Sequence, residues 1–282
     1  MPTRIIVDST ADMIPQLKAR TALVPLTVHF DTEEYVDGVT ITHQQFYEKL
    51  VETDVLPRTS QAGPDAFAKA YQAAADAGDE AVVLTITEKL SGTYQSAMIA
   101  AQDFDNVFVV DTGSVAIGSG ILAEYALRLC DEGLDARAIA DRLNEVKERI
   151  RVVALVDTLE YLKKGGRISG MAAMAGGLLN LKPVLSVEHG EIKVLGKARG
   201  SKQGNNLLVS EIDKVGGVNF DMPVLLGYTG LSDALLQKYI RDSEALWKHS
   251  KTKLNTTSSA ASSAPMPGRE RWLWRFLQGE EL

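Results

Sequence analysis

One cysteine, four histidines and 6% aromatic residues in a chain of 282 leave few of the side chains on which protein chemistry most often rests. Cys130 alone excludes a disulfide framework and implies a reducing compartment, and its place in the helical pattern Tyr125-Ala126-Leu127-Arg128-Leu129-Cys130 makes it a buried, inert thiol. His29, His43, His189 and His249 show no paired spacing for a metal, and no cofactor is expected. There is no Gly-x-Ser-x-Gly elbow and no Gly-x-x-x-x-Gly-Lys-Ser loop, and Gly118-Ser119-Gly120 is not a dinucleotide fingerprint; the pattern argues against a nucleotide-using catalyst. Basic residues nowhere alternate with aromatics, and the net charge is −7, so no nucleic-acid surface is expected. No apolar stretch approaches membrane-spanning length, and residues 1–12 enter a strand without a basic leader. A cytoplasmic protein without stable membrane insertion is expected.

What the chain does have is 45% hydrophobic and 24% charged residues, the balance of a soluble globular protein with room for two domains. Its organising stretch is Ala81-Val82-Val83-Leu84-Thr85-Ile86-Thr87-Glu88-Lys89-Leu90-Ser91-Gly92-Thr93-Tyr94-Gln95-Ser96-Ala97: a buried strand, a polar turn, and a helix opening at Ser91. Free N–H groups of a first helical turn, with the Ser91 and Thr93 hydroxyls beside them, suit an anion. The same residues also suit an ordinary capped helix. Strands are expected at residues 4–7, 23–30 and 107–110, a turn at residues 35–38, and helices at residues 12–17, 43–52, 64–77 and 117–133. Thr59 and Ser60 fall in an extended loop after Pro57. Alternation of strands and helices implies a mostly parallel sheet covered on both faces, with ligands at the carboxyl ends of its strands. Asp8, Ser9, Thr10, Thr87, Ser91, Asp111 and Thr112 gather at that edge, several of them as capping turns.

A charged amphipathic helix over residues 135–150 closes the first domain, and Val152-Val153-Ala154-Leu155-Val156 opens a second. There a short helix near Thr158-Leu159-Glu160-Tyr161-Leu162 leads to a glycine turn, Gly165-Gly166-Arg167. Residues 170–181 read as a helix of Met, Ala, Gly and Leu facing apolar material, either an interdomain core or a lipid tunnel. Residues 184–187 and 192–195 form a hairpin, hence an antiparallel element. Lys197, Arg199 and Lys202 make a small basic cluster, by itself a solvated turn. The expected fold is α/β with two α/β domains: an N-terminal mostly parallel sheet with helices on both faces over residues 1–150, and a C-terminal mixed or antiparallel sheet over residues 151–256.

Six separated motifs resemble the DegV family of bacterial fatty-acid-binding proteins, over roughly residues 4–230: Val7-Asp8-Ser9-Thr10-Ala11-Asp12, Val24-Pro25-Leu26, Thr59-Ser60-Gln61, Leu90-Ser91-Gly92-Thr93-Tyr94-Gln95-Ser96-Ala97, Asp157-Thr158-Leu159-Glu160-Tyr161-Leu162 and Gly165-Gly166-Arg167-Ile168. The resemblance implies a non-catalytic protein that holds one long-chain fatty acid between its domains. It presents the carboxyl group to a fatty acid kinase subunit, which makes an acyl phosphate for phospholipid metabolism. The resemblance carries the ligand site onto Thr59 and Ser91 with their neighbours Ser60, Gly92 and Thr93, sets Arg167 near the carboxyl or incoming phosphoryl group, and gives Arg199 and Lys202 to a kinase-docking surface. Two other functions stay open: a serine hydrolase using Ser91, and a regulatory module for another carboxylated ligand.

From Thr256 the character changes, to small polar residues and then to a basic, aromatic run over residues 269–276. The resemblance implies instead a strand entering Gly-Thr-His-x-Gly-Pro-Gly, whose histidine helps hold the carboxyl group. In the frame beginning one base earlier, at the third base of the Thr257 codon, residues 258–277 can be read as Ile-Ile-Ser-Ser-Val-Ile-Gly-Thr-His-Ala-Gly-Pro-Gly-Ala-Val-Ala-Val-Ala-Phe-Phe, the missing ending. Each shifted codon takes two of its three bases from a residue seen, so wobble alone does not manufacture such a run. Residues 257–282 are therefore expected to be a frameshift product, poorly packed against the rest.

Overall fold

The computed structural model describes residues 1–168, 181–251 and 253–262, together with the backbone of a strand at residues 273–278. The opening apolar run forms β1 (Thr3–Asp8), and the helix expected next shrinks to one turn, α1 (Pro15–Lys18), which has no side-chain cap. The single strand expected over residues 23–30 is two, β2 (Ala22–Val24) and β3 (Thr27–Phe30). Pro25 between them has no N–H to donate to a ladder, and there the chain passes from one sheet to another. β2 pairs parallel with β1, whereas β3 lies between β4 (Glu33–Val36) and β5 (Arg58–Ser60) in a small antiparallel sheet. The turn expected at residues 35–38 therefore begins only after Val36. Thr59 and Ser60 are not in a loop: they pair with Val28 and Thr27 on a sheet edge. Between β4 and β5, α2 (His43–Glu52) begins at a reciprocal Thr42–Gln45 capping box, and its Phe46, Tyr47 and Leu50 cover Val28 and Phe30.

β6 (Glu80–Thr85) and β7 (Val107–Asp111) extend the first sheet to the all-parallel order β2-β1-β6-β7. The period-2 alternation of β1 sends Ile5 and Val7 into one core and Ile6 into the other. On the Ile6 side lie α3 (Pro64–Asp76) and α4 (Thr93–Ala101); on the opposite side lie α5 (Ile117–Asp131) and α6 (Ala136–Val146). Gly120 lets α5 rest on the chain leaving β1, since a Cβ there would stand 1.8 Å from the Asp12 carbonyl oxygen.

The charged helix ends earlier than expected and continues as a 3-10 turn, Lys147–Arg149, into β8 (Ile150–Leu155). Then follow α7 (Glu160–Lys164), the hairpin β9 (Leu181–Glu188) and β10 (Glu191–Arg199), α8 (Gly200–Lys214), β11 (Leu225–Tyr228), α9 (Ala234–Asp242), α10 (Glu244–Trp247), β12 (Asn255–Ser258) and β13 (Leu273–Gln278). The hairpin turns on His189 and Gly190, at φ 50° and 79°, the left-handed pair that a two-residue turn between twisted strands requires. The second sheet is mixed, in the order β10-β9-β8-β13-β11-β12; β11 and β12 run parallel and the other neighbours antiparallel. Its β8 alternates between layers, Val152 and Ala154 joining the core under α5, Val153 and Leu155 packing with Leu208 and Ile212 of α8. Among the described residues no helix is long and apolar enough to cross a membrane. The helix expected over residues 170–181 lies outside the described residues except at Leu181, which opens β9.

Candidate functional site

The carboxyl ends of β1 and β6 meet at one edge, but most polar residues there serve the scaffold. Asp8 is fully buried; its Oδ1 accepts the Thr10 N–H (2.8 Å) and hydroxyl (2.5 Å), and its Oδ2 accepts the Ile86 N–H (2.6 Å). It ties the two strand exits together, and burial raises its pKa to about 6. Thr112 links β7 to β6 by donating to the Thr85 carbonyl (2.8 Å), and Asp111 accepts the Gly113 N–H (2.8 Å). Of these edge residues, Thr10 and Ser91 line a cavity.

That cavity is about 310 Å³, and to it β5 and its exit supply Thr59, Ser60 and Gln61, the β6–α4 turn Ser91 and Gly92, and the second domain Arg167. Thr10 and Ser262 complete its polar wall, and Leu26, Ile86 and Leu90 its apolar one. Thr59, Arg167 and Ser262 also line an adjoining cavity of about 460 Å³, where Arg58 and Lys164 stand. α4 opens two residues later than expected, with Gly92 as its N-cap and no side-chain cap. The Ser91 Oγ instead shares a hydrogen bond with Thr93 Oγ1 (2.9 Å) and accepts the Thr93 N–H (3.3 Å). Thr93 is buried behind Ser91, so it orients that hydroxyl and does not line the cavity. Ser60 Oγ is hydrogen-bonded to His29 Nε2 (2.9 Å).

Arg167 crosses from the second domain because Gly166, at φ 75°, turns the chain back after α7. Its Nε donates to the Leu90 carbonyl (3.3 Å) and its Nη1 to the Gly165 carbonyl, which aims a cation over the turn that carries Ser91. Hydroxyls opposite a guanidinium, beside an apolar wall, make a receptor for an anionic head on an apolar body. Arg199 ends β10 and Lys202 lies in the first turn of α8; both are exposed, and neither lines the two cavities. Among the described residues no imidazole hydrogen-bonds to Ser91: His29 meets Ser60, His43 meets Ser258 and His189 meets Glu148.

Sequence reasoning did not find the segment that closes this cleft. Residues 257–262, expected to be loose, run along the seam between the domains. Ser259, Ala260, Ala261 and Ser262 are buried, and every second residue is held from the N-terminal domain. His43 Nδ1 bonds to Ser258 Oγ (2.9 Å), Asp12 Oδ1 accepts the Ala260 N–H (2.6 Å), and Asp37 Oδ2 accepts the Ser262 N–H (3.0 Å) and hydroxyl. Burial raises the Asp12 pKa to about 7, although Ala260 and Ser259 pull it down, and burial lowers that of His43. Alternation of small residues fits an extended segment in a narrow seam, but Asp37 within Val36-Asp37-Gly38 carries no signal beyond that of a turn.

Comparison with known proteins places the chain among relatives of the same fold. The family described as "Uncharacterised protein, DegV family" matches residues 2–264. A DegV domain-containing protein of Deinococcus radiodurans is 39% identical over 206 residues, 72% of this chain and 73% of the relative. Among solved structures, a DegV family protein from Thermus thermophilus described for fatty acid binding is 30% identical, with a TM-score of 0.87 over 99% of this chain and 100% of the other. A stearic acid-binding protein from Eubacterium ventriosum is 27% identical, with a TM-score of 0.84 over 98% of each chain.

Proposed function

The chain belongs to the DegV family, and from that premise we propose that it binds one long-chain fatty acid between its two domains and presents the carboxyl group to a partner kinase for acyl-phosphate formation. The observation that carries this reading is the convergence of Thr59, Ser91 and Arg167, from three separate segments of two domains, on one cavity with an apolar wall. Thr59 and Ser91 donate hydroxyl hydrogen bonds to the carboxylate, Ser60 and Gly92 shape its surroundings, and Arg167 supplies the opposing charge. Thr93 acts through Ser91. The exposed pair Arg199 and Lys202 belongs to the surface that docks the kinase, at a distance from the ligand head. At about 0.8 kcal/mol per buried CH₂, a chain of roughly fifteen methylenes contributes on the order of 10 kcal/mol before ordering costs. The polar end then needs only to orient the acid. The protein itself performs no chemistry in this reading, and the pairing of Ser91 with Thr93 favours it over a hydrolase.

Native mass spectrometry of the protein purified from bacteria is expected to reveal a bound fatty acid. An in-frame version that is always empty and takes up no palmitate in titration overturns the reading. A bound carboxylated molecule of another kind replaces it with the regulatory alternative, and fluorophosphonate labelling of Ser91 replaces it with the hydrolase.

A further inference from the structure

The two halves of the head-group cavity belong to different sheets. Thr59 sits on β5, an edge strand of three residues held by β3, while Ser91 sits on the turn between β6 of the parallel sheet and α4. Their relative placement is therefore not set by any strand ladder. The packing of α3 on α4 fixes it coarsely, for example where the Tyr71 hydroxyl donates to the Ala97 carbonyl (3.2 Å), more than a turn beyond the site. At the site itself, among the described residues, the Gln61 side chain spans the gap. Gln61, the residue that follows Ser60, is exposed by position, yet its Nε2 donates to Ser96 Oγ (2.9 Å), and Ser96 is 2% exposed on α4.

Gly92 shows how closely this amide is seated. Its φ of −75° and ψ of 7° are open to any residue, so the backbone does not require glycine there. What a side chain there would meet is the end of one flexible side chain: a Cβ at position 92 would stand 2.2 Å from Gln61 Oε1, 3.0 Å from Cδ and 3.1 Å from Nε2, so it would displace the amide. The carboxamide oxygen fills the space a side chain at position 92 would take, and the amide nitrogen is held by Ser96. Resting on the fatty-acid reading above, we infer that Gln61 is a positioning residue for carboxylate recognition: it latches the end of β5 onto the α4 N-terminus and so sets the spacing between the Thr59 and Ser91 hydroxyls. Gly92 is the seat of that latch, and a side chain there displaces the amide.

The test compares affinities for palmitate and hexadecanol, which share a chain and differ in the head, in the protein and in its Gln61→Met, Gly92→Ala and double variants. Methionine keeps the length and bulk of glutamine and removes the hydrogen bond. In Gln61→Met the palmitate-to-hexadecanol affinity ratio is expected to fall about fivefold, the equivalent of one neutral hydrogen bond. Gly92→Ala, by displacing the amide, is expected to lower the same ratio to a similar extent, and the double variant to be no worse than either single one, because both remove one latch. A role confined to general stability shifts both affinities together and leaves the ratio where it was. An unchanged ratio in Gln61→Met, or losses that add in the double variant, overturns the inference while the fatty-acid reading stands. An unsubstituted protein that binds no palmitate overturns both.

Discussion

Replacing Asp12 with asparagine is expected to remove most of the fall in stability on going from acid to neutral pH. Asp12 is 2% exposed, and burial raises its carboxyl from 3.8 to about 7. In the unfolded chain it ionises near 3.8. Between that value and about 7 the folded protein keeps a proton that the unfolded chain has lost, so stability is full below pH 3.8, declines as pH rises, and levels off above 7. At about 1.36 kcal/mol per pH unit this amounts to roughly 4 kcal/mol in all, with about 2 kcal/mol of it between pH 5 and 7. Asparagine keeps an acceptor for the Ala260 N–H and has no proton to lose; any cost of its amide in the seam is independent of pH. Asp8, raised to about 6, acts in the same sense at lower pH, and His43, lowered by burial, acts in the opposite sense below 6.5. Both remain in the variant, along with Lys18 and Asp37, so the difference between the two curves isolates Asp12. Urea unfolding at half-unit steps from pH 5 to 8.5 measures it, and parallel curves for the two proteins refute the reasoning.

Two further outcomes follow from the site. Thr59→Val and Ser91→Ala each remove a hydroxyl donor to a charged head and are expected to weaken palmitate binding by roughly tenfold or more, measured by fluorescence displacement, with little change in hexadecanol binding. Reversing charge in Arg199→Glu with Lys202→Glu is expected to leave palmitate affinity within twofold and to lower the rate of kinase-dependent phosphorylation of the bound acid by at least tenfold; an unchanged rate removes these residues from the docking surface.

Legibility in the sequence tracks the range over which each feature is determined. The parallel sheet was readable because β1, β6 and β7 are local apolar runs closed by polar exits, and the Thr42–Gln45 capping box and the His189-Gly190 turn are specified within a few residues. Ser91 was legible as a helix-entry hydroxyl, whereas Arg167 entered the site only through the family resemblance. The division of residues 23–30 was missed because the β-branched pattern continues through Pro25, and only the choice of sheet partner separates its two halves. Placing Thr59 and Ser60 on a strand required knowledge of β3 as a neighbour, a pairing some thirty residues away in the chain. Gln61, Asp12 and Asp37 act through contacts to residues 96, 260 and 262, which no local pattern announces.

The final prediction concerns the chain beyond Thr257: resequencing is expected to show that the codons for residues 258–277 spell, one base earlier, the apolar ending inferred from the family resemblance. The second sheet gives this a physical basis independent of that resemblance. β13 occupies the position between β8 and β11, opposite Ala154, Val153 and Val152. On either side of it the neighbouring strands contribute to two cores, Val152, Ala154 and Leu225 to one, Val153, Leu155 and Leu226 to the other. A strand covered on both faces requires an apolar residue at every position, not alternation. As written, residues 273–278 put arginine in register with Val153 and glutamine in register with Ile150, residue types that a strand between two apolar cores disfavours. The shifted frame gives Ala-Val-Ala-Phe-Phe at positions 273–277, apolar throughout. It also leaves the seam contacts usable, because the Ala260 and Ser262 anchors to Asp12 and Asp37 are backbone N–H groups that any non-proline residue supplies. The in-frame protein is therefore expected to be more stable by roughly 3 kcal/mol or more in urea unfolding and to bind palmitate more tightly. Codons whose third bases fail to spell that ending, or an in-frame protein no more stable than this one, make the tail genuine.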